Sequence, residues 1–284
     1  MTDERHPSPL CFRRPCRADR VKPSSFPAPS DRQPNLWFVR PLPKPGADLR
    51  LFLFPYAGAG PAVFGKWIME LPEHIEGIIA HFPGRGSRHK EPPINDIFRL
   101  AERLSQSIQS LLDKPFALFG HSFGAFVAFE LARQLHRQQL REPEILFVSG
   151  CGAPQMPDPH PPTSMLSDDQ FLETLVGMGG IDSELLRQPE MLQLLMPMIR
   201  ADFEALESYH FNPNVPALGC PILAFGGLAD GRVSPERLEG WSVQTRAYFK
   251  SQYFPSDHFF IKPYRRAIIE SLSTEIGALA RAKR

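Results

Sequence analysis

The sequence lacks the features of several protein classes. None of its apolar runs reaches the ~18–20 residues that a membrane-spanning helix needs, and its first residues show no apolar core of a signal peptide. Neither sign of charge prevails, because 32 Lys and Arg residues oppose 31 Asp and Glu residues. We therefore expect neither a nucleic acid nor a membrane as a partner. The chain also has no internal repeat.

Cysteine is scarce as well. The four cysteines, Cys11, Cys16, Cys151 and Cys220, do not have the spacing of zinc ligands. We expect reduced thiols in a cytoplasmic protein, and no bound metal. A chain of 284 residues, 42% of them hydrophobic, is long enough to bury a large core, and we expect a monomer.

Residues 1–34 differ in composition from the rest of the chain. They contain seven prolines and several arginines, and they show no periodic apolar pattern. Such a segment buries too little apolar surface to offset the entropy lost on ordering. We predict a disordered tail at 1–34 and a folded domain at 35–284. A start codon assigned too far upstream and an arm that docks a partner are the alternatives for the tail.

From residue 36 onwards, short apolar runs alternate with helical patterns. This alternation indicates an α/β fold, with a mostly parallel central sheet and helices on both faces. Strands are predicted at 49–55, 77–82, 115–119, 144–149, 221–226 and 247–254. Helices are predicted at 62–71, 97–112, 125–132 and 264–280.

Residues 155–215 interrupt this alternation. Two helical patterns lie there, at 168–176 and 190–208, and six of the eight methionines fall in the segment. Because methionine fills irregular space and adapts to varied partners, we predict a helical lid over a pocket for flexible acyl chains. Simple packing of these methionines against the body of the domain is the alternative.

The segment Gly120-His121-Ser122-Phe123-Gly124 follows a predicted strand and precedes a predicted helix. In that context G-x-S-x-G is typical of a nucleophile elbow, in which a strained turn exposes the serine hydroxyl. Bulky side chains at the two glycine positions would collide with the neighbouring strand and helix. We predict Ser122 as the catalytic nucleophile. A tight turn with an exposed serine is the alternative.

A nucleophilic serine needs a histidine to accept its proton and a carboxylate to orient that histidine. Among nine histidines, His258 is best placed, because it directly follows the last predicted strand. Asp230 follows the preceding strand, at the sheet edge where functional loops gather. Asp257 is the alternative acid, although side chains of adjacent residues tend to diverge. Two weaker alternatives lie in the predicted lid, Asp202 and Glu207.

A tetrahedral intermediate also requires backbone donors for its oxyanion. The N–H of Phe123, directly after the serine, is the first predicted donor. The second is expected from the loop after the first core strand. We predict the N–H of Ala57 there, with that of Tyr56 as the alternative.

Four sequence segments carry a resemblance to a known family. They are LFLFPYAGAG at 51–60, HFPGRGSRHKEPP at 81–93, LFGHSFGAFVAFELAR at 118–133, and SPERLEGW with FPSDHFFI at 234–241 and 254–261. Together they resemble a type II thioesterase, the stand-alone editing enzyme of polyketide and nonribosomal peptide synthases, from residue 36 to about 275. The resemblance implies the α/β-hydrolase fold and a triad at Ser122, Asp230 and His258. The family usually has Asp-Pro or a similar step at the acid, where this chain has Asp230-Gly231.

The resemblance also implies a substrate: an acyl group thioester-linked to the phosphopantetheine arm of an acyl or peptidyl carrier protein. Hydrolysis would clear stalled or misprimed units, and no cofactor is implied because the arm belongs to the partner. Arg85 and Arg88 are interpreted as solvated loop arginines, or alternatively as contacts to an acidic carrier surface. The alternative functions are a medium-chain fatty acyl thioesterase, a general carboxylesterase and a non-catalytic protein that binds carrier proteins.

Overall fold

The central sheet lies within residues 35–181 and 184–282, which are the residues that the computed structural model describes. Its strands are β1 (Phe38–Val39), β2 (Leu49–Phe54), β3 (Ile75–Ala80), β4 (Phe116–His121), β5 (Leu146–Ser149), β6 (Ile222–Gly227) and β7 (Phe249–Phe254). They lie in the order β1-β3-β2-β4-β5-β6-β7. Strand β1 is antiparallel to β3, and the other neighbouring pairs are parallel. The mostly parallel sheet is confirmed. The tail predicted at 1–34, with Cys11 and Cys16, lies outside the described residues.

Helices cover the sheet as the alternating pattern indicates. They are α1 (Gly65–Glu70), α2 (Ile97–Ile108), α3 (Phe123–Arg137), α4 (Asp168–Gly177), α5 (Pro189–Glu207), α6 (Pro235–Glu239) and α7 (Arg265–Ala282). Residues Pro61–Phe64 form a 3-10 turn before α1, and Gln109–Leu111 form another after α2, so the helices predicted at 62–71 and 97–112 are shorter than expected. Strand β1 and helix α6 were not predicted, because two and five residues are too few to show a period.

The two faces of β2 explain why its sequence is apolar from Leu51 to Phe54. Phe52 and Phe54 belong to the core beneath α2 and α3. Leu51 and Leu53 belong to the core on the opposite face, beneath α1 and α7. Because side chains of a strand alternate between two faces, both sets of side chains are apolar where the strand is covered on both sides. The sheet therefore presents only its edges and strand ends to solvent.

Helices α4 and α5 lie between β5 and β6, close to the two helical patterns predicted within 155–215. We call residues 155–215 the insertion. Its helices share a small apolar cluster of their own, formed by Phe171, Leu175, Met198 and Ile199. Helix α4 begins with a capping box, in which Ser167 and Gln170 each accept a hydrogen bond from the other's backbone.

The two cysteines within the described residues are buried thiols. Cys151 and Cys220 form no disulfide. Burial raises the pKa of both side chains, and that of Cys220 reaches about 12. Both are therefore protonated and unreactive at neutral pH. Among the described helices, none combines the length and apolar character needed to cross a membrane.

Glu76 places a buried charge at the sheet edge opposite to the predicted site. Its carboxylate accepts hydrogen bonds from Arg40 Nη2 at 2.6 Å and from Arg50 Nε at 3.0 Å, and it is 0% exposed. Burial opposes ionisation of Glu76, but the hydrogen bonds from the two arginines and from the Lys44 N–H outweigh it and lower its pKa. Glu76 is therefore ionised in the folded protein.

Glu76→Gln is expected to lower the free energy of unfolding at pH 7 by about 3 kcal/mol, because it leaves the buried Arg50 without its full counter-charge. The stabilisation from a lowered pKa is present above the unfolded-state pKa of about 4.3 and is lost as the pH falls through the folded-state pKa. Urea unfolding of the wild-type protein and of Glu76→Gln at pH 7 and at pH 3 tests this. The difference in the free energy of unfolding between the two should be smaller at pH 3.

Glu73→Gln is the matched control. Glu73 is 94% exposed and its carboxylate lies 3.4 Å from Lys44 Nζ, and exposed ion pairs of this kind contribute little to stability. Equal destabilisation by the two substitutions would contradict the role of Glu76.

Candidate active site

Ser122 sits at the junction of β4 and α3 in a conformation that non-glycine residues rarely adopt. Its φ is 53° and its ψ is −118°. A Cβ at Gly120 would overlap the carbonyl group of Gly124, and one at Gly124 would overlap the carbonyl oxygen of Phe54. The Ser122 N–H donates to the carbonyl oxygen of Ser149 at 2.7 Å. The two glycines thus permit the close approach that holds Ser122 in its strained turn.

The loops after β6 and β7 bring together two residues that are 28 positions apart. Leu228 N–H donates to Phe254 O at 2.8 Å, and Ala229 N–H donates to Ser256 O at 2.9 Å. These hydrogen bonds hold the loop after β6 against the loop after β7. As a result, His258 Nδ1 lies 2.8 Å from Asp230 Oδ2. The predicted acid and the predicted base are hydrogen-bonded.

The surroundings of Asp230 keep its carboxylate charged. The side chain is 0% exposed, and Oδ1 accepts hydrogen bonds from the N–H groups of Arg232 at 2.8 Å and Val233 at 3.3 Å. Burial opposes ionisation, but the hydrogen bond and charge of His258, together with the two N–H donors, outweigh it and lower the pKa of Asp230. A carboxylate at this position holds the proton on Nδ1 of His258 and leaves the lone pair on Nε2.

Asp257, the alternative acid, makes a different contact. Its Oδ1 accepts a hydrogen bond from the Phe259 N–H at 2.9 Å. The two weaker alternatives also have other partners. Asp202 pairs with Arg85, and Glu207 accepts hydrogen bonds from Thr163 and Ser164.

His121 lies beside His258 but in a different state. Its ring centroid is 5.1 Å from that of His258, its Nδ1 is 2.9 Å from Ser149 Oγ, and the side chain is fully buried. Burial, assisted by the charge of His258, lowers the pKa of His121 well below its usual value. His121 is therefore neutral, and its ring packs beside that of His258.

Ser122 and His258 open onto one cavity of about 600 Å³. The insertion supplies much of its wall, through side chains such as Leu175, Leu195, Ile199 and Phe203. Met156 and Met178 also line the cavity, whereas Met165 is 87% exposed at the surface. A cavity thus lies between the insertion and the sheet, and two of the six methionines of the insertion line it. In the part of the chain that the structure describes, no three His, Cys, Asp or Glu side chains are grouped to hold a metal ion.

The predicted oxyanion donors lie on two elements that meet near Ser122. Phe123 is the first residue of α3, where a backbone N–H has no acceptor within the helix. Ala57 and Tyr56 belong to the loop after β2, and both line the cavity. The next N–H in that loop, from Gly58, donates to Asp202 Oδ2 at 2.8 Å.

The structure corrects the interpretation of Arg85 and Arg88 as solvated loop arginines, and also as contacts to a carrier surface. Both are buried, at 4% and 6% exposure. Arg85 pairs with Asp202 at 2.7 Å, and Arg88 pairs with Glu91 at 2.6 Å and lies over the Trp37 ring. Both arginines are buried because of the fold of their loop: Gly84 and Gly86 have positive φ and turn the chain inward.

Comparisons with known proteins identify the family. A sequence model of the thioesterase domain matches residues 49–276. The chain belongs to the thioesterase family. The gramicidin S biosynthesis protein GrsT of Aneurinibacillus migulanus is 38% identical to it over 244 residues, which cover 86% of this chain and 95% of GrsT.

Solved structures of thioesterases share the fold. RedJ, the thioesterase from the prodiginine biosynthetic pathway in Streptomyces coelicolor, has a TM-score of 0.78 and 34% identity, covering 89% of this chain and 98% of its own. BorB, the type II thioesterase from the borrelidin biosynthetic cluster, has a TM-score of 0.78 and 31% identity, and the match covers 84% of this chain and 97% of BorB. The predicted α/β-hydrolase fold and the resemblance to type II thioesterases are confirmed.

Asp230→Asn is expected to lower kcat for thioester hydrolysis by about 10⁴-fold, because an amide at this position favours the wrong tautomer of His258. Asp257→Asn should change kcat little, because the Asp257 carboxylate accepts its hydrogen bond from the backbone of its own loop. Steady-state hydrolysis of an acyl thioester by the two purified variants, with circular dichroism to verify folding, provides the comparison. A larger loss of kcat in Asp257→Asn than in Asp230→Asn would show that Asp230 is not the acid.

Proposed function

We propose that this thioesterase is a serine enzyme of the type II, editing kind. It hydrolyses acyl groups from the phosphopantetheine arm of acyl or peptidyl carrier proteins in polyketide or nonribosomal peptide synthesis. Related proteins support this assignment: BorB is a type II thioesterase of a biosynthetic cluster, and YbtT is a type II thioesterase from the yersiniabactin NRPS/PKS pathway. We propose further that the chain acts in the cytoplasm as a monomer.

One observation carries the proposal. His258, which is hydrogen-bonded to Asp230 at 2.8 Å, lines the same cavity onto which the strained Ser122 opens. This combination of a hydroxyl at the cavity, an oriented base and a buried carboxylate is the arrangement that acyl transfer requires. A purely carrier-binding protein would have no chemical use for it.

The acylation step follows from these positions. Ser122 Oγ attacks the thioester carbonyl carbon while Nε2 of His258 accepts the hydroxyl proton, and Asp230 stabilises the resulting imidazolium. The N–H groups of Phe123 and Ala57 donate to the oxyanion of the tetrahedral intermediate. Collapse of the intermediate breaks the C–S bond, and His258 returns its proton to the departing pantetheine thiolate.

The deacylation step repeats the chemistry with water. His258 removes a proton from a water molecule, which attacks the carbonyl carbon of the acyl-serine. The same two N–H groups stabilise the second oxyanion. When the C–O bond to Ser122 breaks, His258 protonates the serine oxygen and the free carboxylic acid leaves. Every proton transfer passes through Nε2, since Nδ1 is engaged by Asp230.

Ser122→Ala is expected to reduce kcat on an acyl-carrier thioester by roughly 10⁴–10⁶-fold, because the covalent step is lost. Mass spectrometry of the carrier protein measures the loss of the acyl mass directly. Retention of more than about a tenth of wild-type turnover by the folded variant would refute the assignment of Ser122.

The same assay separates the alternative functions. For a type II thioesterase, kcat/KM should be higher for an acyl-carrier thioester than for an oxygen ester of the same acyl group. A preference for the oxygen ester would indicate a general carboxylesterase, and a preference for medium-chain fatty acyl carriers would indicate a fatty acyl thioesterase. Carrier binding without turnover by the wild-type chain would indicate a non-catalytic protein.

Met178→Trp is expected to shift the acyl-length preference towards shorter chains, because it adds volume to the wall of the cavity. Turnover of short acyl groups should survive. Met165→Trp is the matched control: Met165 also belongs to the insertion but is exposed at the surface, so its substitution should leave the preference unchanged. The measurement is kcat/KM over a series of acyl-pantetheine thioesters of increasing length. An unchanged length profile for Met178→Trp would contradict a role for Met178 in the acyl pocket.

A further inference from the structure

A buried ion pair outside the proposed triad contacts the loop after β2, which holds the proposed oxyanion donor Ala57. Asp202, on α5, is 0% exposed, and Arg85 is 4% exposed. Asp202 Oδ1 accepts from Arg85 Nη2 at 2.7 Å, and Oδ2 accepts from Arg85 Nη1 at 2.8 Å. Such a bidentate pair fixes both side chains in one geometry. Asp202 Oδ2 then accepts a third hydrogen bond, from the Gly58 N–H at 2.8 Å.

This third bond reaches the loop that holds the proposed oxyanion donor. The Gly58 N–H belongs to the peptide group that begins at Ala57, so holding it restricts rotation about Ala57. Arg85 Nη1 also donates to the Ala59 carbonyl oxygen at 3.1 Å. The ion pair therefore holds the loop at two of its peptide groups, the one between Ala57 and Gly58 and the one between Ala59 and Gly60. Ile199 of α5 covers Gly58, so that a Cβ added there would lie 3.0 Å from Ile199 Cγ1.

The loop has one hydrogen bond of its own, from the Ala59 N–H to the Tyr56 carbonyl oxygen at 3.0 Å, and the contacts of Asp202 and Arg85 add a constraint from outside it. Gly58 has a φ of +78°, and a glycine has many accessible backbone conformations. An oxyanion donor is effective only when it lies at hydrogen-bond distance from the developing charge. A displacement of about 1 Å in such a group can lower the rate by about 10²-fold.

We propose that Asp202, held by Arg85, is a positioning residue that orients the Ala57 N–H in the oxyanion hole. This inference rests on the proposed function and deepens it. Because Asp202 is carried by α5, it also ties the oxyanion hole to the insertion that forms the wall of the acyl pocket. Asp202 does not touch the reacting atoms. It acts through the Gly58 N–H.

Two double variants isolate the hydrogen bond to Gly58. Arg85→Met with Asp202→Asn removes both charges but keeps a side-chain oxygen that can accept from the Gly58 N–H. Arg85→Met with Asp202→Leu removes both charges and the acceptor. Neither variant leaves an uncompensated buried charge, which would destabilise the protein by itself. The comparison between them therefore reports on the acceptor alone.

We expect kcat for an acyl-pantetheine thioester to be about 10–100-fold lower in the Leu variant than in the Asn variant. KM should differ little between them. A trifluoromethyl ketone analogue of the substrate, which forms a tetrahedral adduct with Ser122, should bind the Leu variant more weakly by a similar factor. A thioether analogue, which forms no adduct, should bind both variants equally. Equal kcat and equal ketone affinity in the two variants would overturn the inference, as would a parallel loss of thioether binding.

The control is Arg88→Met with Glu91→Leu. This change removes the other buried arginine pair of the same loop. Arg88 makes its hydrogen bonds to Glu91 and to the His81 carbonyl oxygen, so the change should leave kcat and ketone affinity near their wild-type values. A loss equal to that of the Leu variant would indicate general damage to the loop and overturn the inference. Hydrogen exchange of the wild-type chain needs no variant: a Gly58 amide that exchanges as fast as a solvent-exposed loop amide would also overturn it.

The outcome also separates this inference from the proposed function. If Ser122→Ala retains turnover, the proposed function fails. If Ser122 is essential while the Leu and Asn variants have equal kcat, only the positioning role of Asp202 fails.

Discussion

The site depends on a contact between two pieces of backbone that leaves no room for a side chain. Gly124, in the first turn of α3, lies directly against the carbonyl oxygen of Phe54 at the end of β2, and Gly120 lies against Gly124. Only this close approach lets the chain reverse sharply between β4 and α3, with Ser122 at positive φ. It also brings the end of β2, which leads into the loop carrying Ala57, next to the start of α3, which carries Phe123. One steric constraint thereby sets the positions of both the proposed nucleophile and the two proposed oxyanion donors.

The sequence predicts the elements whose residues repeat with a clear period or obey a local rule. Apolar runs such as those of β2 and β4 are recognisable because helices cover both faces of the sheet. The elbow is recognisable because close approach demands glycine on both sides of Ser122. Asp230 and His258 are recognisable because each follows the end of a parallel strand, and such ends lie along one edge of the sheet. The two-residue β1 and the five-residue α6 have no period to recognise.

Long-range polar contacts are the part that the sequence does not reveal. Arg85 and Asp202 are 117 positions apart, and nothing in either segment indicates that they meet. A charged residue in a loop is usually solvated. The sequence around Arg85 therefore predicts a solvent-exposed side chain, whereas the structure buries it. The one local signal is the pair of glycines around it, Gly84 and Gly86. Their positive φ values turn the loop back on itself, which removes Arg85 and Arg88 from solvent.

The structure divides the site into a part set by the sheet and a part set by the insertion. Ser122, Asp230 and His258 all follow sheet strands, so the core beneath them fixes their positions. Part of the wall of the cavity comes from α4 and α5, which share a small apolar cluster of their own around Phe171 and Leu175. Substitutions in that cluster can therefore reshape the cavity without disturbing the core of the sheet. Asp202 sets a limit to this independence, because it joins α5 to the loop after β2. The helix can vary its apolar side chains freely only while Asp202 and Gly58 stay within hydrogen-bond distance.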